Sequence, residues 1–382
     1  MTVVQAPLVI VGSGRGGYGV LRALRRIDAA REVVLITADD GAAYSKGQLA
    51  AGMGGRKEAG ELILATAAQM AHRFGATILA HTRVVAIDRP RQAVVTERGE
   101  RPYGRLVLAL GAEARRPATL RGSAAEQVLT VASLADYRYF RHELAGRRRI
   151  AILGGGVTGC EFADNLSRAG CAVTLFEPGR QLLGDRLPAL CASRLAERLV
   201  AAGVRVSLED GIQRVDQDGD ALELTTLSGA RRGADLVVAV LGSRPRTAIA
   251  RAAGLATAHG ICVDADLRTS DPEIFALGEC AEFAGRVFAQ ADEIDAACRV
   301  IAQVLGGLRA RMRWRPWMRR LQIEACPVVL CEPPPVGGEW HETATRRGVT
   351  ALFQDVHGEL AGFVLVGDSV GQAERLFGRL AR

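Results

Sequence analysis

The stretch Arg149-Ile150-Ala151-Ile152-Leu153-Gly154-Gly155-Gly156-Val157-Thr158-Gly159 decides how this chain reads. An apolar run suited to a buried strand enters a glycine turn, and an amphipathic segment follows it. The next strand is Ala172-Val173-Thr174-Leu175-Phe176, with Glu177 at its end. A G-x-G-x-x-G turn between strand and helix is the fingerprint of dinucleotide binding. Its first glycine permits the tight turn, the second lets backbone approach a pyrophosphate, and the third brings the helix against the strand. The helix N-terminus adds free N–H groups and the positive end of its dipole. Gly154, Gly156 and Gly159 are therefore expected to hold dinucleotide phosphates. Glu177 is placed to accept both ribose hydroxyls and to repel a 2′-phosphate, which favours NAD. Arg180 keeps NADPH open, or is a solvated loop residue.

Working outward, the same pattern occurs at the other end of the chain. Leu8-Val9-Ile10-Val11 leads into Gly12-Ser13-Gly14-Arg15-Gly16-Gly17, a basic amphipathic helix is expected from about Tyr18 to Arg26, and Val33-Val34-Leu35-Ile36 is the next strand. Two copies imply two nucleotide-binding units. After this first fingerprint the acid is displaced: Thr37 takes the strand-end position, followed by Ala38, Asp39 and Asp40. A ribose is held there by Thr37 and Ala38 backbone groups or by Asp39, or else the two aspartates only form a solvated turn. From Leu236 to Glu282 strand and turn signals return, followed by a basic, tryptophan-containing stretch from Arg309 to Arg320. Pro333-Pro334-Pro335 and the strands Val349 to Phe353 and Leu360 to Val366 complete a small α+β region. The fold class is α/β, with two Rossmann-like dinucleotide-binding domains and a small C-terminal α+β domain.

Composition fits a globular protein: 382 residues, 48% hydrophobic and 24% charged, enough to bury more than one core. No apolar run approaches the roughly 18–20 residues that span a bilayer, and no signal peptide is read at the N-terminus, so a cytoplasmic protein without a membrane partner is expected. The eight cysteines form no CxxC pair, and no metal site is expected. The net charge of +7 suits an acidic partner. Nucleic acid is not expected, because the arginine run has no groove-reading element around it.

Further motifs give these features a family. Ile36-Thr37-Ala38-Asp39-Asp40-Gly41, Tyr44-Ser45-Lys46, His81-Thr82-Arg83-Val84 and Leu106-Val107-Leu108-Ala109-Leu110-Gly111-Ala112 occur in order. Gly159-Cys160-Glu161-Phe162-Ala163, Leu241-Gly242-Ser243-Arg244-Pro245-Arg246-Thr247 and Ile274-Phe275-Ala276-Leu277-Gly278-Glu279-Cys280-Ala281-Glu282 follow. Together they resemble the pyridine nucleotide-dependent flavoprotein reductases, and within them the bacterial rubredoxin-NAD⁺ and flavorubredoxin reductases, nearly end to end. The resemblance implies a glutathione reductase-like arrangement. Residues 1–115 and 246–310 would bind FAD, 116–245 would bind NAD, and 311–382 would form the C-terminal domain. FAD would then contact Gly12, Ser13, Gly14, Gly16, Gly17, Thr37, Ala38, Asp39, Val84 (through its backbone), Ala109, Gly111, Gly278, Glu279, Ala291 and Gln322. Gly242 would belong to the dinucleotide sites. Lys46 would sit beside the flavin, and Glu161 would lie at the flavin–nicotinamide junction, both serving catalysis.

The implied reaction passes hydride from NADH to FAD and then single electrons to a small acidic carrier such as rubredoxin. Tyr44-Ser45-Lys46-Gly47-Gln48 stands where disulfide reductases of this fold carry a redox cysteine pair, so no thiol relay is expected. The carrier would dock near Arg309, Arg311, Arg313, Arg315, Arg319 and Arg320, or that run is simply solvated. A monomer or weak dimer is expected. The chain departs from the family pattern at Glu279 (usually Asp), Gln322 (usually Lys), Gly47 (usually Pro) and Ala291-Asp292-Glu293-Ile294-Asp295, where relatives have an apolar turn. Asp292 or Glu293, if turned to the flavin, would add negative charge there. These departures leave two alternatives: another, pathway-specific acceptor, or a non-catalytic FAD-binding sensor or scaffold.

Overall fold

The structure is a computed structural model and describes residues 6–54 and 57–380. The chain forms two compact units. One comprises the chain up to Ser45 with Ile63–Glu113 and Ser243–Trp314; the other comprises Lys46–Leu62, Ala114–Gly242 and the chain from Arg315. Residues 46–62, which the sequence reading assigned to the first FAD segment, thus group with the second fingerprint.

In the first unit a sheet runs in the order Ile274–Ala276, Arg105–Leu108, Leu8–Val11, Val33–Ile36, Thr77–Leu79. Every neighbouring pair is parallel. Leu8–Val11 is the central strand and is buried throughout, which is why it reads as an unbroken apolar run. The following helix is Arg15–Leu24, starting three residues before the Tyr18 expected from the sequence. Gly16 and Gly17 read as turn residues by composition, yet they already belong to the helix because Gly14 is its N-cap. Cys298, on the helix Ala291–Leu305, lies so near Gly19 that an added Cβ there would meet its Sγ at 2.5 Å.

The second unit repeats the plan with four parallel strands in the order Arg205–Leu208, Ala172–Glu177, Arg149–Leu153, Leu236–Ala239. In both sheets the fingerprint strand is central, and the chain leaves it to one side and later returns on the other. That reversal opens the crevice in which sheets of this type bind ligands. The helix Val157–Arg168 follows the second fingerprint and packs against Gly47–Gly54.

The same unit carries a five-stranded antiparallel sheet, in the order Arg319–Leu321, Val328–Cys331, Leu360–Gly367, Gly348–Asp355, Gly338–Ala344. Val329, Phe363, Leu365 and Leu376 form its core with the helix Ala373–Leu380. A carboxylate from this sheet serves a helix outside it. Ala189–Ala201 begins after Pro188, which offers no capping side chain. Glu342 accepts the N–H groups of Leu190 (3.2 Å) and Cys191 (3.1 Å) in its place. Among the described residues no helix is long and apolar enough to cross a membrane.

Candidate dinucleotide sites

The two fingerprints have nearly the same geometry. Gly12 and Gly154 take φ of 111° and 108°, and a Cβ at either would strike a carbonyl oxygen, Ala109 O at 2.2 Å or Val240 O at 2.5 Å. Gly17 and Gly159 lie against the first glycine of their own turn. A Cβ there would meet Gly12 O at 1.8 Å or Gly154 O at 1.9 Å. Gly16 is less crowded, with Leu277 Cγ 3.3 Å from the same construction. Gly14 and Gly156 are extended N-caps that face open space, with no side-chain cap on either helix and no acid in either first turn. Leading N–H groups that no side chain caps, beside a residue with no side chain, suit a pyrophosphate. The residues present therefore fit a dinucleotide at each turn.

At the end of Val33–Ile36, the sequence left Asp39 open between ribose ligand and solvated turn. Its Oδ1 is the hub of a knot. It accepts from Ser13 Oγ (2.9 Å), Thr37 Oγ1 (2.5 Å) and the Gly41 N–H (3.0 Å), and Ser13 Oγ and Thr37 Oγ1 lie 2.9 Å apart. Tyr18, from the fingerprint helix, donates to Gly41 O at 2.5 Å. Burial, then the charges of Asp39 and Asp40, push its phenol up to about 12, so it remains a donor at neutral pH. Thr37, Ala38 and Asp39 are thus fixed against the glycine turn. In the second unit Glu177 is also held: Oε2 accepts the Gly155 N–H at 2.7 Å and Oε1 the Gly179 N–H at 2.8 Å. Its carboxylate stands at the strand end beside the turn.

Glu161 lies on Val157–Arg168 and is only 7% exposed. Its Oε1 accepts the Gln322 N–H at 3.0 Å. Burial pushes its carboxyl above the ordinary 4.5, while the Gln322 N–H and the Arg319 charge pull it down. Asp164, one turn further along, is fully buried and accepts from Glu324 N (2.8 Å) and Ala325 N (3.3 Å). Two carboxylates on one helix face therefore grip the segment from Gln322 to Ala325. The Gln322 side chain itself is exposed. Lys46 is an exposed residue preceding Gly47–Gly54, the helix packed on that of Glu161. The sequence reading missed Asp164, and it placed Arg319 in the docking run rather than beside Glu161. Helical spacing from Glu161 is the one signal that could have found Asp164.

Of the remaining expected residues, Val84 opens the strand Val84–Asp88, and the Ala109 N–H donates to Val11 O at 2.9 Å. Gly111 O accepts the Arg246 N–H and Gly242 O the Arg115 N–H, both at 3.0 Å. Gly278 and Glu279 form the short turn Gly278–Cys280. The structure thus groups Gly12, Ser13, Gly14, Gly16, Gly17, Thr37, Ala38, Asp39, Val84, Ala109, Gly111, Gly278, Glu279 and Ala291 in the first unit. Lys46, Gly154, Gly156, Gly159, Glu161, Glu177, Gly242 and Gln322 fall in the second.

Two expected features take a different local form. The acidic segment is the start of a helix: Ala291 is its first residue, and Glu293 is buried and closes a capping box with Gln290. Glu293 also accepts from Arg286 (3.3 Å), and Asp295 pairs with Arg15 at 2.6 Å. Helix capping and ion pairs engage Glu293 and Asp295. The arginine run, second, is not one basic face. Arg319 is half-buried where the Glu161 charge acts on it, while Arg311 pairs with Asp266 (3.9 Å) and Arg320 with Glu374 (2.8 Å).

All eight cysteines are free. Burial pushes the Cys298 thiol up to about 12 and those of Cys280, Cys326 and Cys331 up to about 11, so these remain thiols at neutral pH. Among the described residues no cluster of three or more His, Cys, Asp or Glu could hold a metal ion.

Two glycine turns of the dinucleotide-binding kind on parallel sheets, one followed by a strand-end carboxylate, mark a two-nucleotide oxidoreductase. The sequence pattern of the pyridine nucleotide-disulphide oxidoreductases matches residues 6–299, and that of the rubredoxin binding C-terminal domain matches residues 321–380. The chain belongs to the pyridine nucleotide-disulphide oxidoreductase family. It is 36% identical to a rubredoxin-NAD(+) reductase of Alcanivorax borkumensis, over 97% of each chain. It is 33% identical to a nitric oxide reductase FlRd-NAD(+) reductase of Vibrio vulnificus, over 98% of each. The structure of a covalent putidaredoxin reductase–putidaredoxin complex superposes with a TM-score of 0.89, covering 98% of this chain and 94% of that one. At 23% identity that likeness speaks for the fold. FAD and NADH are the cofactors of this family's reductases, and the two turns fit them.

Proposed function

We propose that this chain is an NADH-dependent reductase that delivers electrons through FAD to a rubredoxin-like carrier. The observation that carries the reading is the pair of congruent, uncapped glycine turns in a chain whose C-terminal sheet matches the rubredoxin binding domain. FAD supplies the step from two-electron to one-electron chemistry. The protein's own groups bind and orient. The first turn, with the Ser13–Thr37–Asp39 knot behind it, would receive the FAD pyrophosphate. The second would receive that of NADH, with Glu177 accepting the ribose hydroxyls.

Lys46 and Glu161 are the groups assigned to the reacting end. Glu161, buried and held by the Gln322 N–H, would fix the nicotinamide there and help exclude water. Protonated, inert thiols support electron exit without a cysteine relay. The net charge of +7 and the exposed Arg309 and Arg313 support an acidic carrier.

The test is an anaerobic titration of the full-length holoprotein. NADH should bleach the visible flavin band stoichiometrically, and oxidised rubredoxin should restore it over many turnovers. A flavin that NADH fails to bleach would refute the enzyme reading. Bleaching that neither rubredoxin nor flavorubredoxin reverses would refute the choice of carrier.

A further inference from the structure

Arg180 is one residue past Gly179, whose N–H donates to the Glu177 carboxylate at 2.8 Å. An arginine in this place is the type of residue that accommodates a 2′-phosphate. Its Nε, however, lies 3.5 Å from Glu209 Oε1. Glu209 follows the strand Arg205–Leu208, which pairs in parallel with Ala172–Glu177 in the register Leu208 to Glu177. It takes φ of 55°, a left-handed conformation that residues with a Cβ rarely adopt. Two backbone hydrogen bonds fix it there: Glu209 N to Gly179 O at 3.0 Å, and Asp210 N to Glu177 O at 3.4 Å. The Asp210 carboxylate is engaged separately, by Ser228 and the Gly211 N–H.

Both side chains are largely exposed, yet the left-handed backbone and the cross-strand bonds fix where the Glu209 carboxylate leaves the chain. Backbone strain held in place by its surroundings concentrates where a side chain must be aimed. Here it aims a carboxylate at Arg180, a group close behind Glu177 in the chain that would welcome a phosphate.

We propose that Glu209 is a second specificity-determining residue of the nicotinamide dinucleotide site. It pairs with the exposed Arg180 and adds a further negative charge near Glu177, so a dinucleotide bearing a 2′-phosphate meets repulsion and a guanidinium it must share with a carboxylate. The dinucleotide selected is the one with a free 2′-hydroxyl. The proposal rests on Glu177 being the ribose carboxylate, and its test separates the two.

The measurement is the ratio of kcat/KM for NADPH to that for NADH, taken with ferricyanide as acceptor so that no protein carrier is involved. Glu209→Gln should raise the ratio about fivefold at low salt, the scale of an exposed charge pair, and the gain should shrink as salt is added. In an Arg180→Ala background the same substitution should gain less than about half as much, since no guanidinium is released. Glu209→Gly, which suits the positive φ, should give the same gain and so exclude a backbone effect. Glu177→Gln, measured alongside, reports on the underlying reading. A ratio that responds to Glu177→Gln but not to Glu209→Gln overturns the proposal, as does an equal response with and without Arg180. A ratio unmoved by Glu177→Gln removes the ribose assignment instead, and Glu209 falls with it.

Discussion

Removing the Asp164 carboxylate should loosen the segment that holds Glu161. Asp164 is fully buried and accepts two backbone N–H groups, at 2.8 Å from Glu324 and 3.3 Å from Ala325. In Asp164→Ala both donors lose their acceptor. A hydrogen bond to a charged group contributes about 1.5–3 kcal/mol, with the longer Ala325 contact at the weaker end. Relief from burying a carboxylate offsets part of this loss. The expected net loss is about 3 kcal/mol, or about 6–12 °C in Tm for a unit of this size. Asp164→Asn keeps one acceptor oxygen and should lose about half as much.

The direct assay is hydrogen exchange of peptides spanning residues 319–327, with calorimetry alongside. Exchange at Glu324 and Ala325 should accelerate in the alanine variant. The Gln322 amide should follow, because its bond to Glu161 at 3.0 Å depends on the same segment. Unchanged exchange with a Tm within about 1 °C of wild type would refute the clamp, since that is a small fraction of the shift just derived.

Glu177→Gln should raise kcat/KM for NADPH by about 30-fold or more. A carboxylate about 4 Å from one phosphate charge costs about 4 kcal/mol at an effective dielectric of 20, of which solvent exposure leaves about half; steady-state kinetics with both nucleotides checks it. Glu161 has its folded-state pKa raised by burial above 4.5, net of the opposing Gln322 N–H and Arg319. Its contribution to stability is therefore full below about 4.5 and lost as pH rises through the folded value. Glu161→Gln should accordingly melt higher than wild type above that window, lose the advantage below it, and slow reduction by NADH; melting curves across pH that stay parallel would contradict the sign. Gln322→Lys should raise the flavin midpoint potential by about 60 mV, from one charge about 6 Å away worth about 3 kcal/mol. A redox titration showing no rise would mean that position 322 does not lie where the resemblance puts it.

The sequence by itself determined the elements whose causes are local. A strand buried on both faces must be apolar at every buried position, so Leu8–Val11 and the stretch from Ile150 to Leu153 were legible. A turn that needs φ near 110° and a helix in contact with its own strand requires glycine at fixed spacing, so Gly12 to Gly17 and Gly154 to Gly159 were legible too. Glu177 followed because strand length sets where the next strand ends. What the tertiary structure alone decided are contacts that leave no period in the chain. Asp164 meets Glu324 across 160 residues, and Glu342 caps a helix start 152 residues before it. In each case the partner is a backbone N–H, which nearly every residue carries and which no side-chain pattern can announce. The same holds for Glu209: its bond to Gly179 O and its left-handed backbone arise from two adjacent strand ends. That arrangement, invisible in the sequence, turned Arg180 from an open choice of cofactor into half of an ion pair.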